Sequence, residues 1–216
     1  LEQGAKIIVV ACNTASAAAL HYLRAKFPEV PFVGMVPAVK PAISSTQTGI
    51  IGVLATKTTF QGELFADVVS RFAEGVEIIP QVCPSLVERV ECGDLDSPRV
   101  ERLLRRYLEP LMAKGADTIV LGCTHYPFLI PAIRRIVGEE VNIVEPGVAI
   151  ARQTARLLAR YELAKTDPRG GRRFYVTSGD LEPFSVIVTK LIGLPGEFLQ
   201  ARWQGDKPEI ISQPAS

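Results

Sequence analysis

The stretch Val9 to Leu20, "VVACNTASAAAL", runs from β-branched apolar residues into a small-residue helical pattern, with Cys12 at the junction. Residues 120–130, "VLGCTHYPFLI", repeat the design with Cys123. Each reads as a buried strand turning directly into a helix. The echo extends upstream. "AKIIVVACNTASA" and "ADTIVLGCTHYPF" both run Ala, polar residue, apolar strand, small residue, Cys, then a polar pair.

Around these turns, short β-branched runs alternate with longer helical patterns. Strands are expected at residues 6–11, 32–35, 50–55, 76–80, 118–122, 142–144 and 173–177. Helices are expected at 16–26, 59–74, 97–114, 127–137 and 148–161. This alternation predicts an α/β fold with mostly parallel sheets covered by helices. The echo predicts two pseudo-symmetric, doubly wound lobes facing a shared cleft. Pro-bearing segments 34–42 and 144–151 are the expected crossings. They put residues 1–36 and 146–216 in the first lobe and 37–145 in the second. "LEQGAK" at the start reads as a helix end with a Gly C-cap, so the sequence reads as beginning within a domain.

Apolar residues make up 47% and charged residues 22% of 216, and the formal net charge is +1. That balance gives no reason to expect nucleic acid or an anionic membrane as partner. Arg169, Arg172 and Arg173 cluster in a Gly-rich loop and read as a solvated turn. No apolar run approaches the ~18 residues of a membrane helix. Cys12, Cys83, Cys92 and Cys123 form no CxxC pair, which fits free thiols in a reducing cytoplasm. With two histidines, His21 and His125, no metal site is expected.

In open α/β sheets, ligands bind at the carboxyl ends of strands, where both cysteines fall. A thiol beside a helix N-terminus meets unpaired N–H groups and a positive dipole end, which favour thiolate. Asn13, Thr14 and Ser16 are good capping residues, and with backbone amides they can hold a carboxylate. Thr124 adds a hydroxyl, His125 a titratable ring, and Pro127 suits the first turn of the next helix. A lone cysteine at a strand end is most often a small buried apolar residue. Two in matching polar surroundings call for another account. Two thiols across one cleft suit inversion at carbon: one removes a proton while the other delivers one to the opposite face. A Cys123–His125 nucleophilic pair is a further reading. Cys83 and Cys92 lack such surroundings and read as structural.

"ACNTASA" and "LGCTHYP" resemble the two signature motifs of the glutamate racemases, within the aspartate/glutamate racemase superfamily. "IGVLATKTTF" (51–60), "CPSLVERVE" (83–91) and "RRFYVTSGD" (172–180) are similar to further family segments, so the resemblance spans nearly the whole chain. It implies racemization of L- and D-glutamate by two acid/base thiols, Cys12 and Cys123, with no cofactor and no metal. D-glutamate then feeds peptidoglycan synthesis in the cytoplasm. Asn13, Thr14, Thr124 and His125 match substrate-contacting positions, and His125 would also assist Cys123. Glu91 matches the family's glutamate near that histidine; a solvated helix-end charge is its other reading. Thr59 matches a threonine near the cleft, and a helix cap serves as well. A homodimer is implied, because family members commonly pair.

One departure stands at the start. The family's first lobe opens with a strand ending in Asp-Ser-Gly, followed by a Pro-Tyr-Gly loop, and neither motif is present. Thr56 lies 67 positions before Cys123 (123 − 56), and the same interval before Cys12 falls outside the sequence. If the 216 residues are the whole molecule, the first lobe is incomplete and weak or no racemization is expected. As part of a longer chain, ordinary racemization is expected. Competing readings are another thiol enzyme of the superfamily, such as an aspartate or hydantoin racemase, and a catalytically silent binding protein.

Overall fold

Alternating strand and helix signals are realised as three sheets and the helices that connect their strands in a computed structural model that describes residues 1–165, 171–205 and 207–211. The described chain forms two compact units, one of residues 1–90 with 94–164, the other of 91–93 with 165–216. Both expected lobe crossings, at residues 34–42 and 144–151, fall inside the first unit.

In the first unit, residues 1–4 make a turn closed by the Gly4 N–H donating to the Leu1 carbonyl. Gly4 has φ of 75°, as a C-cap glycine would. Strand β1 (Ile8–Val9) pairs in parallel with β2 (Phe32–Val33), and helix α1 (Asn13–Lys26) connects them. The expected longer strands at 6–11 and 32–35 shrink to these two pairs, because each has a single ladder partner among the described residues.

The main sheet holds β3 (Ile50–Ala55), β4 (Glu77–Val82), β5 (Thr118–Leu121) and β6 (Asn142–Val144) in the order β4-β3-β5-β6, all parallel. From β3 the chain steps to one side for β4, then returns to the other for β5 and β6. The direction of winding reverses between β3 and β5. A crevice opens at the carboxyl ends of two such strands. Those ends are Ala55–Thr56 and Leu121–Cys123.

Alternation along the strands feeds two cores. Ile51, Val53 and Val120 pack on one face with Val39 and Ala42 of α2 (Val39–Ile43). Phe60 of α3 (Lys57–Gln61) and Phe65 and Val68 of α4 (Glu63–Phe72) cover them. On the other face Gly52 leaves room for Leu111 of α6 (Pro98–Ala113); a Cβ there would lie 2.6 Å from Leu111 Cδ1. Leu104, Leu108 and Leu111 recur at helical spacing and are fully buried. Each contributes about 1.5–3 kcal/mol of hydrophobic stabilisation.

The single helix expected over 59–74 is two. Gly62 takes an extended conformation between α3 and α4, and a Cβ on it would come within 2.6 Å of the Ala17 Cβ of α1. The break lets α1 approach. The expected helix at 127–137 begins as a 3-10 turn (Tyr126–Leu129) before α7 (Ile130–Val137). Within "CPSLVERVE" lies a short helix, α5 (Leu86–Glu91), and α8 (Gly147–Arg160) follows β6.

The second unit pairs β7 (Phe174–Thr177) in parallel with β8 (Glu197–Gln204), and β8 antiparallel with β9 (Lys207–Ile211). Helix α9 (Leu181–Ile192) packs Phe184 edge-on against Phe198, which stacks on Tyr175. Lys190 donates to the Gly93 carbonyl at 2.7 Å. Arg172 pairs with Glu197 in solvent, Arg173 is exposed, and Arg169 lies outside the described residues. Among the described residues no helix is long and apolar enough to cross a membrane.

Candidate active site

Cys12 is itself the N-cap of α1. Its backbone is extended (φ −152°, ψ 125°), and its sulfur accepts the Ala15 N–H at 3.4 Å. This corrects the expected capping role of Asn13, Thr14 and Ser16. Ser16 instead donates to the Val10 carbonyl and accepts the Met35 N–H, tying α1 to the ends of the first sheet. The Thr14 hydroxyl joins a triangle with those of Thr56 (2.8 Å) and Thr59 (3.1 Å), whose own separation is 3.0 Å. Thr56 is the N-cap of α3, accepting the Thr59 N–H, so Thr59 is a buried helix residue rather than a cap.

Cys123 follows β5 and is buried. Its sulfur lies 3.7 Å from His125 Nδ1. The turn is held tightly: the Gly122 N–H donates to the Leu54 carbonyl at 2.7 Å, and the Tyr126 N–H to the Cys123 carbonyl at 3.1 Å. Behind it, at the end of β4, Cys83 is buried and donates its thiol to the Gln81 carbonyl. Burial first, and then the neighbouring Cys123 sulfur, push the Cys83 thiol up and keep it protonated. Cys92 is exposed rather than packed in a core, and none of the four cysteines is in a disulfide.

Cys12, Asn13, Thr14, Thr56, Val87, Gly122, Cys123, Thr124 and His125 line one cavity of about 160 Å³. Drug-sized pockets run to about 300–1,000 Å³, so this one suits a small metabolite. The cavity draws on three strand-end turns, including the crevice between β3 and β5. Asn13 is only 3% exposed, and neither its Oδ1 nor its Nδ2 has a hydrogen-bond partner. A buried amide left unpaired costs about 1–3 kcal/mol. A ligand offering both a donor and an acceptor would recover that. A larger depression of about 510 Å³, lined in part by His21, Tyr22 and Glu63, is open to solvent.

Of the residues singled out from sequence, Cys12, Asn13, Thr14, Cys123, Thr124 and His125 meet at the cavity. Thr59 stands behind Thr14. Glu91, the last residue of α5, is exposed and does not line the cavity. Thr56 and Val87 line it without having been anticipated. Thr56 carried a signal, a hydroxyl residue just past a buried strand. Val87 carried none beyond its place in an apolar pattern. Among the described residues no group of three or more His, Cys, Asp and Glu side chains is arranged to hold a metal ion.

Residues 1–154 match the family model of Asp/Glu/hydantoin racemases. The chain belongs to this family. A glutamate racemase from Roseiflexus sp. (strain RS-1) is 51% identical over 192 residues, spanning 88% of this chain and 71% of the relative. Among solved structures, Escherichia coli glutamate racemase in complex with L-glutamate and the activator UDP-MurNAc-Ala superposes with a TM-score of 0.76. It is 32% identical, over 97% of this chain and 76% of that one. A Bacillus anthracis glutamate racemase gives 0.79 at 29% identity, over 89% and 72%. This racemase family member therefore places two motif thiols, an unpaired amide and a Cys–His contact on one small cavity.

Proposed function

We propose that the chain interconverts L- and D-glutamate without a cofactor, with Cys12 and Cys123 as the two acid/base thiols. The observation that carries this reading is the single cavity lined by both thiols. A proton leaves the α-carbon to one sulfur and arrives from the other on the opposite face, so the carbon inverts. In the reverse direction the two exchange roles. Asn13 binds the amino-acid head: its Nδ2 donates to the α-carboxylate and its Oδ1 accepts from the α-ammonium. The Cys12 turn lies at the start of α1, where backbone N–H groups and the dipole favour a bound carboxylate. Thr14 and Thr124 add hydroxyl contacts, with Thr59 supporting Thr14. His125 assists Cys123 through the contact at 3.7 Å, and Glu91 is the carboxylate assigned to that histidine.

The lobe division, 1–36 with 146–216 against 37–145, belongs to the same reading. So do a cytoplasmic homodimer and a supply of D-glutamate to peptidoglycan synthesis.

The test is a chiral assay of the purified chain with glutamate, aspartate and a hydantoin, beside Cys12→Ser and Cys123→Ser. The reading expects racemization of glutamate, lost by at least a thousandfold in either variant. Preference for another acid would overturn the substrate. Full activity in either serine variant would overturn the mechanism.

A further inference from the structure

The proton-transfer reading accounts for the thiols and the amide but leaves two buried phenols unexplained. Tyr126, fully buried, donates its hydroxyl to the Cys83 carbonyl at 3.1 Å. Tyr107 of α6, also buried, donates to the next carbonyl, that of Pro84, at 2.9 Å. The residue that follows, Ser85, has φ of 68°. It is one of two non-glycine residues with positive φ among the described residues. A non-glycine residue holds that conformation only where its surroundings impose it. The turn then enters α5, which presents Val87 to the cavity and buries Leu86 and Val90.

Tyr126 also belongs to the other turn. Its N–H donates to the Cys123 carbonyl, and it follows His125 directly. The Cys83 N–H donates to the Ala55 carbonyl, beside Thr56. One side chain thus ties the Cys123 turn to the end of β4, and through it to the end of β3. Burial foremost, then the Cys83 and Cys123 sulfurs, raise the Tyr126 phenol, so its hydroxyl stays a donor through the neutral range.

We infer that Tyr126 is a positioning residue for proton transfer at Cys123: its hydroxyl, bonded to the Cys83 carbonyl, fixes the turn that carries that sulfur against the wall formed by Val87. Tyr107 braces the same turn from the side of α6. The inference rests on the two-thiol reading above. Misplacing a reacting group by about 1 Å can cost on the order of a hundredfold in rate, so removing one hydroxyl is expected to lower kcat by about tenfold.

The experiment compares wild type, Tyr126→Phe and Tyr107→Phe with protiated and α-deuterated L- and D-glutamate. Enantiomers have equal free energy, so kcat/KM must fall equally in both directions. The α-deuterium isotope effect need not. In Tyr126→Phe it rises for the enantiomer whose proton goes to Cys123 and falls for the other, while KM changes little. Tyr107→Phe shows the same asymmetry, smaller; it decides the matter if Tyr126→Phe does not fold. A loss of thermal stability with wild-type isotope effects would mean a merely structural role and overturn the inference. Wild-type kinetics in both variants would overturn it too. A wild type that racemizes no glutamate would instead overturn the reading beneath it.

Discussion

Asn13 lines the cavity, and its amide donor and acceptor are both buried without a protein partner. Removing such a group takes away its ligand bonds and relieves a desolvation cost in the free protein. Asn13→Ala is therefore expected to raise KM for glutamate about 5- to 150-fold, from about 1–3 kcal/mol of lost interaction. Its thermal unfolding temperature should stay at or above that of wild type. A lower unfolding temperature with unchanged KM would show the amide to be structural. Gly122 acts by having no side chain. A Cβ there would lie 2.9 Å from both the Ala55 Cβ and the Leu54 carbonyl oxygen. Neither can move aside like a flexible side-chain tip. Gly122→Ala is expected to cost about 1–3 kcal/mol of stability, and to lower kcat by at least about tenfold because Cys123 follows directly. Denaturant unfolding and steady-state kinetics check both parts.

At the scale of elements, what was legible in the sequence is what local chemistry decides. The Cys12 and Cys123 turns could be read because β-branched runs, a small residue and a helix pattern adjoin within a dozen positions. β3 and β6 fall where their apolar runs lie. The threonine triangle could not be read. Thr14 and Thr56 are 42 positions apart and meet only because α1 packs on α3. Their closeness depends on the Gly62 break, which a continuous helical pattern conceals. The N-cap of α1, Cys12, is hidden in the sequence for a related reason. Asn, Thr and Ser are ordinary caps, and a thiol at the extended position displaced them. Helix α9 went unread although Gly193, left-handed at φ 65°, marks its end as a C-cap glycine should. Strands β8 and β9 lie beyond the last motif, in a hairpin whose turn holds Gly205 at φ 59°.

At the scale of the molecule, Asp117 links folding to pH. It stands at the amino end of β5, opposite the cavity. Its carboxylate accepts from the Thr46 hydroxyl (2.6 Å), the Gln47 and Thr48 N–H groups (2.6 and 2.8 Å) and the Thr118 hydroxyl (3.0 Å). Burial alone would raise its pKa. The hydrogen bonds from Thr46, Thr48, Gln47 and Thr118 outweigh burial and hold it at about 2. A carboxylate depressed in the folded state stabilises fully above its unfolded pKa of about 3.9, and that stability is lost as pH falls toward 2. Asp117→Asn is therefore expected to cost about 1–2 kcal/mol at pH 7, allowing for solvent screening of a partly exposed group. The gap to wild type should close between about pH 4 and 2. Denaturant melts across that window check it; a gap independent of pH would exclude the charge as the cause.

In the two-thiol reading, different sulfurs serve the two faces of one carbon. The decisive experiment is racemization of L- and of D-glutamate in deuterium oxide, stopped early, with α-deuterium read separately in product and in recovered substrate. Two separate thiols predict deuterium in the product from the first turnovers and none in the remaining substrate, whichever enantiomer is supplied. Deuterium appearing in substrate and product together would contradict it, because one group would then be serving both faces.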